Sequence, residues 1–547
     1  MTHPNISTAL ARAVVDELSA EGIEVVVISP GSRSGALAIA AAQHPDIETR
    51  VVIDERSAAF HALGVSKASS TPAAVLCTSG SAPANFFPAI VEAGAAGVPL
   101  VVISADRPAE MQGVGANQTI DQVEMFGAKV RRYGGIEAPG DGQDGNDMWR
   151  SEVARLASSA RGPFPGPVHL NVRFREPTVP VSDDGRTPGA VPYPFGTPRL
   201  QHEPVTPDEG ESVALPALDA DRGVVIAGDG EYDRRALADR AGEIGWPILA
   251  TALSRMRGTG VVSAYHHILS RGVPRDLEPS TVVAVGAVGP SPRLETMTAA
   301  ADVRVRIDRW GRVIDPHRNA THVLSGDVVE LLDRVEGSAA PAWREMWAEA
   351  DRSSRTRLTE VLSGAGGWSG AAVASCLNRV GWDALVVASS LPIREIDAHL
   401  IREGPVYANR GVSGIDGFVS TALGVASRAP RTLALAGDIS LLHDSNGFIH
   451  DGSIDLTLVV VDNGGGGLFD SLPQARHAPD YERLFVTPPA RSVEMLARFH
   501  GLRYQEAADD AELARLAEEG LGRRGVDVIR VLVDRGLDLE IRSQLES

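Results

Sequence analysis

The most informative stretch of this chain runs from Leu433 to Asp470 and reads LALAGDISLLHDSNGFIHDGSIDLTLVVVDNGGGGLFD. Two short apolar segments, Leu433 to Ala436 and Leu456 to Val461, each run directly into small and polar residues. Such segments are typical of buried strands in a parallel sheet. A mixed segment joins them, so the stretch predicts an α/β unit.

Polar residues follow both predicted strands. Asp438 comes shortly after the first strand, and Asn463 comes 25 residues later, between the second strand and four glycines. Because parallel strands end at one edge of a sheet, where ligands bind, we expect these two side chains to face one another. Carboxylate, amide and carbonyl oxygens suit Mg²⁺ together with a phosphorylated ligand, and glycines let the backbone approach that ligand closely.

A Gly-Asp pair followed by Asn at such a distance has the spacing and chemistry of the thiamine-diphosphate motif. The alternative interpretation is a pair of turns at the sheet edge with ordinary polar residues. Gly228-Asp229-Gly230 provides a control within the chain, because Ser254, 25 residues beyond Asp229, has no Asn or glycine turn beside it. That second copy predicts only a turn at a strand end.

Composition limits the class of protein. The chain has 547 residues, 43% of them apolar, and a net charge of -19, which indicates a soluble globular protein of about three domains. The acidic balance argues against a nucleic-acid partner, because phosphate binding needs a basic surface. Only two cysteines, no signal sequence and no membrane-length apolar run predict a cytoplasmic protein without an integral membrane segment.

Short apolar strands alternate with helical segments along most of the chain. This alternation predicts an α/β fold of doubly wound parallel-sheet domains. Besides the two strands above, the predicted strands are 25–29, 51–53, 73–78, 100–104, 168–172, 224–227, 248–251, 282–285, 303–307, 384–389, 406–408 and 526–533.

Prolines concentrate between Glu176 and Leu218, where they exclude helices and central strands and indicate an extended connection. A second boundary is predicted near Gly337 to Pro341. The predicted organisation is therefore a domain over 1–180, a Pro-rich linker over 181–217, a central α/β domain over 218–340 and a last domain over 341–547.

Glu55 follows a predicted strand and precedes a helical run over 57–66. In a chain that binds thiamine diphosphate, a carboxyl group must hydrogen-bond N1′ of the aminopyrimidine, which favours the tautomer that removes the C2 proton. Glu55 is our candidate for that carboxyl group. The alternative is an acidic residue favoured by a helix N-terminus.

Four arginines lie in Gly-, Ser- or Pro-bearing segments at predicted strand ends. Arginine suits bidentate recognition of carboxylates, so their convergence would indicate a substrate with several carboxylates. The alternative is that each pairs with a local acid. The four are Arg33 in SPGSRS, Arg107 in SADRP, Arg394 in SSLPIRE and Arg410 in ANRGVSG.

Eight motifs in one order resemble a known family. SPGSRS, IDERSAAFHALG, TSGSAPAN, SADRP, GANQT, ANRGVSGIDGFVSTALG, GDIS and NGGGGLF are similar to the 2-succinyl-5-enolpyruvyl-6-hydroxy-3-cyclohexene-1-carboxylate (SEPHCHC) synthases, thiamine-diphosphate enzymes of menaquinone biosynthesis. The resemblance covers both outer domains and is weakest between about 180 and 380. Ile439 is a mild departure, because the family usually has Gly-Asp-Leu.

The resemblance implies a reaction and its partners. The enzyme would decarboxylate 2-oxoglutarate and add the succinyl carbanion to isochorismate in a 1,4 fashion. Its cofactors would be thiamine diphosphate and Mg²⁺ or Mn²⁺. The resemblance implies the thiamine-diphosphate-binding fold of three doubly wound parallel-sheet domains. The first domain would bind the pyrimidine and the last the diphosphate, in a homodimer or homotetramer with active sites between subunits.

The resemblance also assigns site residues by position. The metal would be bound by Asp438, Asn463 and the Gly465 carbonyl. The catalytic group would comprise Glu55, Ser32, Arg33, Arg107, Gln118, Ser390, Arg394 and Arg410. Other cofactor contacts would come from Thr78, Ser413, Ile415, Ile439, Ser440, Leu468 and Phe469, with Glu55 and Gln118, and other substrate contacts from Asn117, Arg293 and Leu472.

Two questions stay open at this point. Asp462 directly precedes Asn463 and could share its metal role, although the register with the glycines favours Asn463. The chain could also be another thiamine-diphosphate carboligase or decarboxylase that acts on 2-oxo acids, or a non-catalytic relative that only binds a ligand.

Overall fold

The computed structural model describes residues 5–138, 146–179, 218, 221–289, 291–450, 454–477 and 479–546. Within these ranges the chain forms three parallel sheets of six, five and six strands, flanked by helices, as the sequence predicted. The predicted linker over 181–217 lies outside the described residues. The predicted domain limits stay a prediction.

The described strands are β1 (Val25–Ile28), β2 (Glu48–Val51), β3 (Ala73–Cys77), β4 (Leu100–Asp106), β5 (Tyr133–Glu137), β6 (Pro167–Arg173), β7 (Gly223–Ala227), β8 (Ile248–Ala250), β9 (Thr281–Val285), β10 (Val303–Asp308), β11 (His322–Ser325), β12 (Ala384–Val387), β13 (Val406–Tyr407), β14 (Thr432–Gly437), β15 (Leu456–Asp462), β16 (Arg503–Glu506) and β17 (Val526–Leu532).

The described α-helices are α1 (Ile6–Ala20), α2 (Gly35–Gln43), α3 (Glu55–Ser69), α4 (Phe87–Ala96), α5 (Asn146–Arg161), α6 (Arg234–Glu243), α7 (Tyr265–Ile268), α8 (Pro292–Ala300), α9 (Val328–Leu332), α10 (Pro341–Gly364), α11 (Gly370–Cys376), α12 (Leu391–His399), α13 (Phe418–Ala426), α14 (Asp438–His443), α15 (Gln474–His477), α16 (Val493–Phe499), α17 (Asp510–Leu521) and α18 (Arg535–Glu546).

Residue contacts group the chain into two compact units. The first comprises Met1–Val205, Asn409–Pro430 and Ser440–Leu456, and the second comprises Thr206–Ala408, Arg431–Ile439 and Thr457–Ser547. The first unit contains the sheet ordered β2-β1-β3-β4-β6-β5. The second contains the sheets ordered β11-β10-β9-β7-β8 and β13-β12-β14-β15-β17-β16.

The first sheet has an apolar core on each face. Leu10, Leu37 and Trp149 belong to one core, and Phe60 and Ile90 belong to the other. Apolar strands covered on both faces read as continuous apolar runs, which is why β1, β3 and β4 were predicted correctly.

The predicted strand over 51–53 was wrong. The strand is Glu48–Val51, and it pairs with β1 from Val25↔Glu48 to Ile28↔Val51. It lies at the sheet edge, where a polar sequence such as ETRV can form a strand without burying its side chains on both faces.

Helices α3 and α13 cross at two glycines within the first unit. A Cβ on Gly64 would lie 2.2 Å from the Thr421 carbonyl oxygen, and one on Gly424 would lie 2.1 Å from the His61 carbonyl oxygen. The two backbones therefore touch directly, and the contact places the N-terminus of α3, with Glu55, in a defined position.

Each sheet of the second unit has its own apolar core. Trp246, Trp343 and Trp347 belong to the core of the β7 to β11 sheet, whereas Trp382, Leu435 and Val459 belong to that of the last sheet. None of the described helices is both long and apolar enough to cross a membrane.

Candidate active site

Strands β14 and β15 bring the two predicted metal ligands to one sheet edge. They pair in parallel with Gly437 opposite Val461, so Asp438 and Asp462 are neighbours. Asp438 Oδ1 accepts a hydrogen bond from Ile439 N at 2.8 Å. Burial, with a smaller contribution from the Asp462 carboxylate, raises the pKa of Asp438 to about 7.

Two buried oxygens at this edge have no hydrogen-bond partner among the described residues. They are Asp438 Oδ2 and Asn463 Oδ1. Buried polar atoms are nearly always paired. Two unpaired acceptors at the ends of neighbouring strands therefore indicate a site for a hydrogen-bond donor or a cation. A carboxylate and an amide oxygen fit Mg²⁺ or Mn²⁺.

Asp462 is engaged differently. Its Oδ2 lies 2.7 Å from Arg530 Nε, and its Oδ1 accepts a hydrogen bond from Gly464 N at 3.2 Å. Both oxygens of Asp462 therefore have partners within the protein. This arrangement favours Asn463 over Asp462 as the metal ligand of this pair, in agreement with the register argument from the sequence.

The glycines after Asn463 are required by close contacts. Gly465 has a φ of +133°, and a Cβ there would lie 2.2 Å from the Val486 carbonyl oxygen. A Cβ on Gly467 would lie 2.4 Å from Asn463 Nδ2. The loop thus packs against Val486 and against the Asn463 side chain, whereas at Gly464 a Cβ would meet nothing within 4 Å.

Among the described residues, no three or more His, Cys, Asp and Glu side chains are grouped so that they could hold a metal. The predicted set does not need one, because only Asp438 belongs to those residue types. Asn463 and the Gly465 carbonyl provide the other two oxygens. That carbonyl also accepts a hydrogen bond from Gly467 N at 2.9 Å and keeps a second lone pair.

Glu55 is the first residue of α3. Asp54 caps the helix, with its Oδ1 accepting from Arg56 N at 2.9 Å and Ser57 N at 3.3 Å. The Glu55 side chain is half-buried, and its charge contributes, after burial, to raising the pKa of Cys77. The described residues include no hydrogen-bond partner for this carboxylate.

The residues on both sides of Glu55 are held by one segment. Asn446 Nδ2 donates to Asp54 Oδ2 at 2.7 Å, and Arg56 Nη2 donates to the His443 carbonyl at 3.0 Å. Arg56 also lies 3.4 Å from Asp444, whose side chain is fully buried. These residues were not predicted from the sequence, because the segment around Asp444, LLHDSNG, is mixed in polarity and nothing in it marks a buried acid.

Arg107 and Gln118 meet at the carboxyl edge of the first sheet. Arg107 Nη1 donates to the Gln118 carbonyl at 2.7 Å and to Ser79 Oγ, and Gln118 Nε2 donates to the Ser79 carbonyl at 3.0 Å. Burial and the neighbouring Arg33 cation lower the pKa of Arg107. Predicted residues from three separate motifs therefore converge here.

Arg33 has partners of its own. Its Nη1 donates to the Phe174 carbonyl at 3.1 Å, and its Nη2 lies 3.1 Å from Glu176. The predicted alternative of a local acidic partner therefore applies to Arg33. The loop before it lies on Thr78, because a Cβ on Gly31 would be 2.3 Å from Thr78 Cβ. Ser32 and Asn117 are exposed in the same segments.

The loop from Asn409 to Gly417 belongs to the first unit and contains Arg410, Ser413 and Ile415. Ser413 has a φ of 63°, in the left-handed region that non-glycine residues seldom adopt. Ile415 is half-buried. Such backbone strain is common at ligand sites.

Ser390 and Arg394 lie at the start of α12 in the second unit. Ser390 has a φ of 74° and a ψ of -124°, and its carbonyl accepts a hydrogen bond from Arg394 Nη1. Arg293 forms an ion pair with Glu546 and donates to the His266 carbonyl. Arg293 therefore has an acidic partner within the protein.

The remaining predicted cofactor and substrate contacts come before and after the glycine loop in the sequence. Ile439 and Ser440 are on α14, the first half-buried and the second buried. Leu468 and Phe469 are half-buried in the turn Gly467–Ser471, where the Phe469 ring centroid lies 5.5 Å from that of Phe485. Leu472 is exposed, so ordinary core packing does not account for it.

Comparison with known proteins agrees with this architecture. Residues 8–125 match the family described as thiamine pyrophosphate enzyme, N-terminal TPP binding domain. The three parallel sheets and this match define a thiamine-diphosphate-dependent enzyme.

Relatives named 2-succinyl-5-enolpyruvyl-6-hydroxy-3-cyclohexene-1-carboxylate synthase match nearly the whole chain. The protein from Thermobifida fusca is 40% identical over 567 residues, covering 99% of this chain and 98% of the relative. Those from Rubrobacter xylanophilus and Haloarcula marismortui are 38% and 36% identical, with 99% and 100% of this chain and 98% of each relative covered. The chain belongs to the SEPHCHC synthase family.

Proposed function

We propose that this protein is a thiamine-diphosphate-dependent transferase of menaquinone biosynthesis. It decarboxylates 2-oxoglutarate and adds the succinyl unit to isochorismate in a 1,4 fashion, giving 2-succinyl-5-enolpyruvyl-6-hydroxy-3-cyclohexene-1-carboxylate. The observation that carries this proposal is 40% identity, over 99% of the chain, to a protein with this synthase name.

Asp438, Asn463 and the Gly465 carbonyl hold Mg²⁺ or Mn²⁺, and through it the diphosphate group. The two unpaired buried oxygens support this assignment, because a divalent cation would satisfy both. The glycine loop also supports the metal and diphosphate assignment. Gly464 and Gly465 have positive φ values, and at Gly464 no other atom lies close, so a ligand can approach the backbone there. Bound thiamine diphosphate supplies the carbon nucleophile and the electron sink for loss of CO₂.

Glu55 holds a proton at N1′ of the aminopyrimidine. Its position supports this role, since Asp54 and Arg56 are both tied to the segment 443–446 while the Glu55 carboxylate itself has no partner in the described part of the chain. A fixed backbone and an unengaged carboxyl group are what a positioned acid or base requires.

The arginines bind the carboxylates of the substrates. Arg107 is buried and donates to the carbonyl of the exposed Gln118, Arg394 is exposed on α12, and Arg410 lies in the loop from Asn409 to Gly417. Both substrates carry two carboxylates, which several guanidinium groups can bind in bidentate fashion. Arg33 and Arg293 take part by exchanging their present acidic partners for substrate.

The protein works in the cytoplasm as a homodimer or homotetramer whose active sites lie between subunits. The family resemblance supports this assembly. Two buried free cysteines, Cys77 and Cys376, support a reducing compartment.

A mass-spectrometric assay tests the reaction. Purified protein is incubated with thiamine diphosphate, Mg²⁺, 2-oxoglutarate and isochorismate, beside Glu55→Gln. We expect a product with the mass of isochorismate plus a four-carbon succinyl semialdehyde unit, and its loss in the variant. Release of CO₂ without this adduct would overturn the acceptor, and turnover of pyruvate but not 2-oxoglutarate would indicate a different carboligase.

A further inference from the structure

Glu92 is a buried carboxylate that binds the backbone of a loop more than 300 residues away in the chain. It lies on α4, and its side chain is only 2% exposed. Its Oε1 accepts a hydrogen bond from Gly411 N at 2.9 Å, and its Oε2 accepts one from Val412 N at 2.8 Å. Both partners belong to the first compact unit.

The Glu92 charge is balanced inside the unit. Lys67, near the end of α3, places its Nζ 3.4 Å from Glu92 Oε1, and its own side chain is 9% exposed. A buried charge is retained only when a counter-charge and hydrogen bonds compensate for the loss of water. Glu92 has both, so it is built to accept the two backbone N–H groups as a charged acceptor.

The loop backbone lies directly on α4 at this point. A Cβ on Gly411 would be 2.7 Å from the Glu92 carbonyl oxygen and 2.8 Å from Ala96 N. No side chain fits there without moving the helix or the loop. The glycine allows the close approach, and the Glu92 carboxylate fixes the orientation of the two peptide groups on either side of Gly411.

The ends of the same loop are anchored separately. Asn409 Nδ2 donates to Thr421 Oγ1 at 3.0 Å. At the other end, Gly417 has a φ of 68° and lies against the Phe60 ring, which a Cβ would approach to 1.9 Å. Glu92 therefore supplies the anchor in the middle, between Arg410 on one side and Ser413 on the other.

Ser413 comes directly after the residues that Glu92 binds. Its φ of 63° is maintained only where the surroundings determine the backbone on both sides. The hydrogen bond to Val412 N fixes the peptide between Gly411 and Val412, one peptide before Ser413, so it restricts the chain on the N-terminal side of this residue.

We infer that Glu92 is a positioning residue for the substrate and cofactor loop from Arg410 to Ile415. It acts through the backbone amides of Gly411 and Val412, each of which binds one of its two carboxylate oxygens. This inference rests on the proposed function for the identity of the ligands. The two hydrogen bonds from Gly411 N and Val412 N to Glu92, which we call the clamp, are a property of the chain alone.

Hydrogen exchange of the cofactor-free protein tests the clamp without any turnover. In Glu92→Gln the side-chain amide can accept from one of the two N–H groups but turns its own N–H₂ toward the other. We expect exchange of the peptide covering 409–417 to accelerate about tenfold, because the lost charge-assisted bonds no longer oppose local opening. Glu17→Gln is the matched control, since Glu17 is also buried and lies 3.4 Å from a cation, Arg150, but on α1.

Steady-state kinetics tests the positioning role. We expect Glu92→Gln to raise KM for both carboxylate substrates about tenfold with a smaller change in kcat, and Glu17→Gln to leave both unchanged. Glu92→Asp keeps the charge beside Lys67 but is too short to reach both amides, so we expect an intermediate KM. Glu92→Asp also tests the positioning role if Glu92→Gln does not fold.

The outcomes separate this inference from the proposed function. Faster exchange at 409–417 with an unchanged KM would overturn the positioning role, and unchanged exchange would overturn the clamp. A wild-type protein that forms no product from 2-oxoglutarate and isochorismate would overturn the proposed function, while the exchange experiment would still decide whether Glu92 holds the loop.

Discussion

Arg530 Nε lies 2.7 Å from Asp462 Oδ2, and this ion pair gives Asp462 surroundings that differ from those of the adjacent Asn463. Arg530 is on β17, which neighbours β15 in the last sheet, and Asp462 ends β15. Because Gly464 N takes the second oxygen of Asp462, the unpaired acceptor of this pair belongs to Asn463. Asp462 and Asn463, the two adjacent candidates for the metal ligand, thus have different surroundings.

We expect Asn463→Ala to weaken binding of thiamine diphosphate in the presence of Mg²⁺ by about tenfold or more, and Asp462→Ala to weaken it less. The first variant removes a proposed metal ligand, whereas the second removes a side chain already paired with Arg530. Isothermal titration with and without EDTA measures both effects. The reverse order of affinities would contradict the ligand assignment.

We expect Glu55→Gln to lower kcat by about 10²-fold to 10⁴-fold while cofactor affinity stays within a few-fold of wild type. Gln can accept a hydrogen bond but cannot share a proton with N1′ of the aminopyrimidine. Product formation measured by mass spectrometry, with cofactor binding by titration, gives both values. Glu243→Gln, at an exposed position on α6, is the control, and equal turnover in the two variants would remove Glu55 from the mechanism.

Asp444 predicts a pH dependence of stability. Burial raises its pKa to about 6, only partly offset by hydrogen bonds from Ser420 and by the Arg56 charge. The folded state therefore binds the proton more tightly than the unfolded chain, whose Asp pKa is about 3.9. The resulting stabilisation is complete below about pH 4 and is lost as the pH rises through about 6.

Urea denaturation between pH 4 and 7 measures this effect. The Asp444 contribution to the free energy of unfolding should fall by up to about 3 kcal/mol over this range. Asp444→Asn has no proton to lose, so its difference from wild type should change with pH by that amount. Parallel pH profiles for the two proteins would show that Asp444 does not titrate there.

We expect Gly424→Ala to destabilise the protein by about 1 to 3 kcal/mol. The new methyl group would lie 2.1 Å from the His61 carbonyl oxygen, where α3 and α13 touch, so the two helices must separate. Gly364→Ala is the matched control, because a Cβ there meets nothing within 4 Å and alanine favours helix. Thermal unfolding of both variants measures the difference, and equal Tm values would show that the crossing can relax.

Local chain chemistry was sufficient for the buried strands and for the sheet edge where the candidate site lies. Central parallel strands are apolar on both faces, and the proposed metal ligands Asp438 and Asn463 follow two of them directly. Three missed strands, β5, β11 and β16, and the misplaced β2 all lie at sheet edges. Half-exposed strands have mixed sequences, so no apolar run marks them.

Partners distant in the sequence were decided only by the tertiary structure. Nothing near Asp462 in the sequence indicates Arg530, nothing near Arg410 indicates Glu92, and Gly64 and Gly424 do not reveal that they touch. Periodicity and turn chemistry report which face of an element is buried. Which residue of another element meets it depends on how the packed elements align, and that alignment is a property of the whole fold.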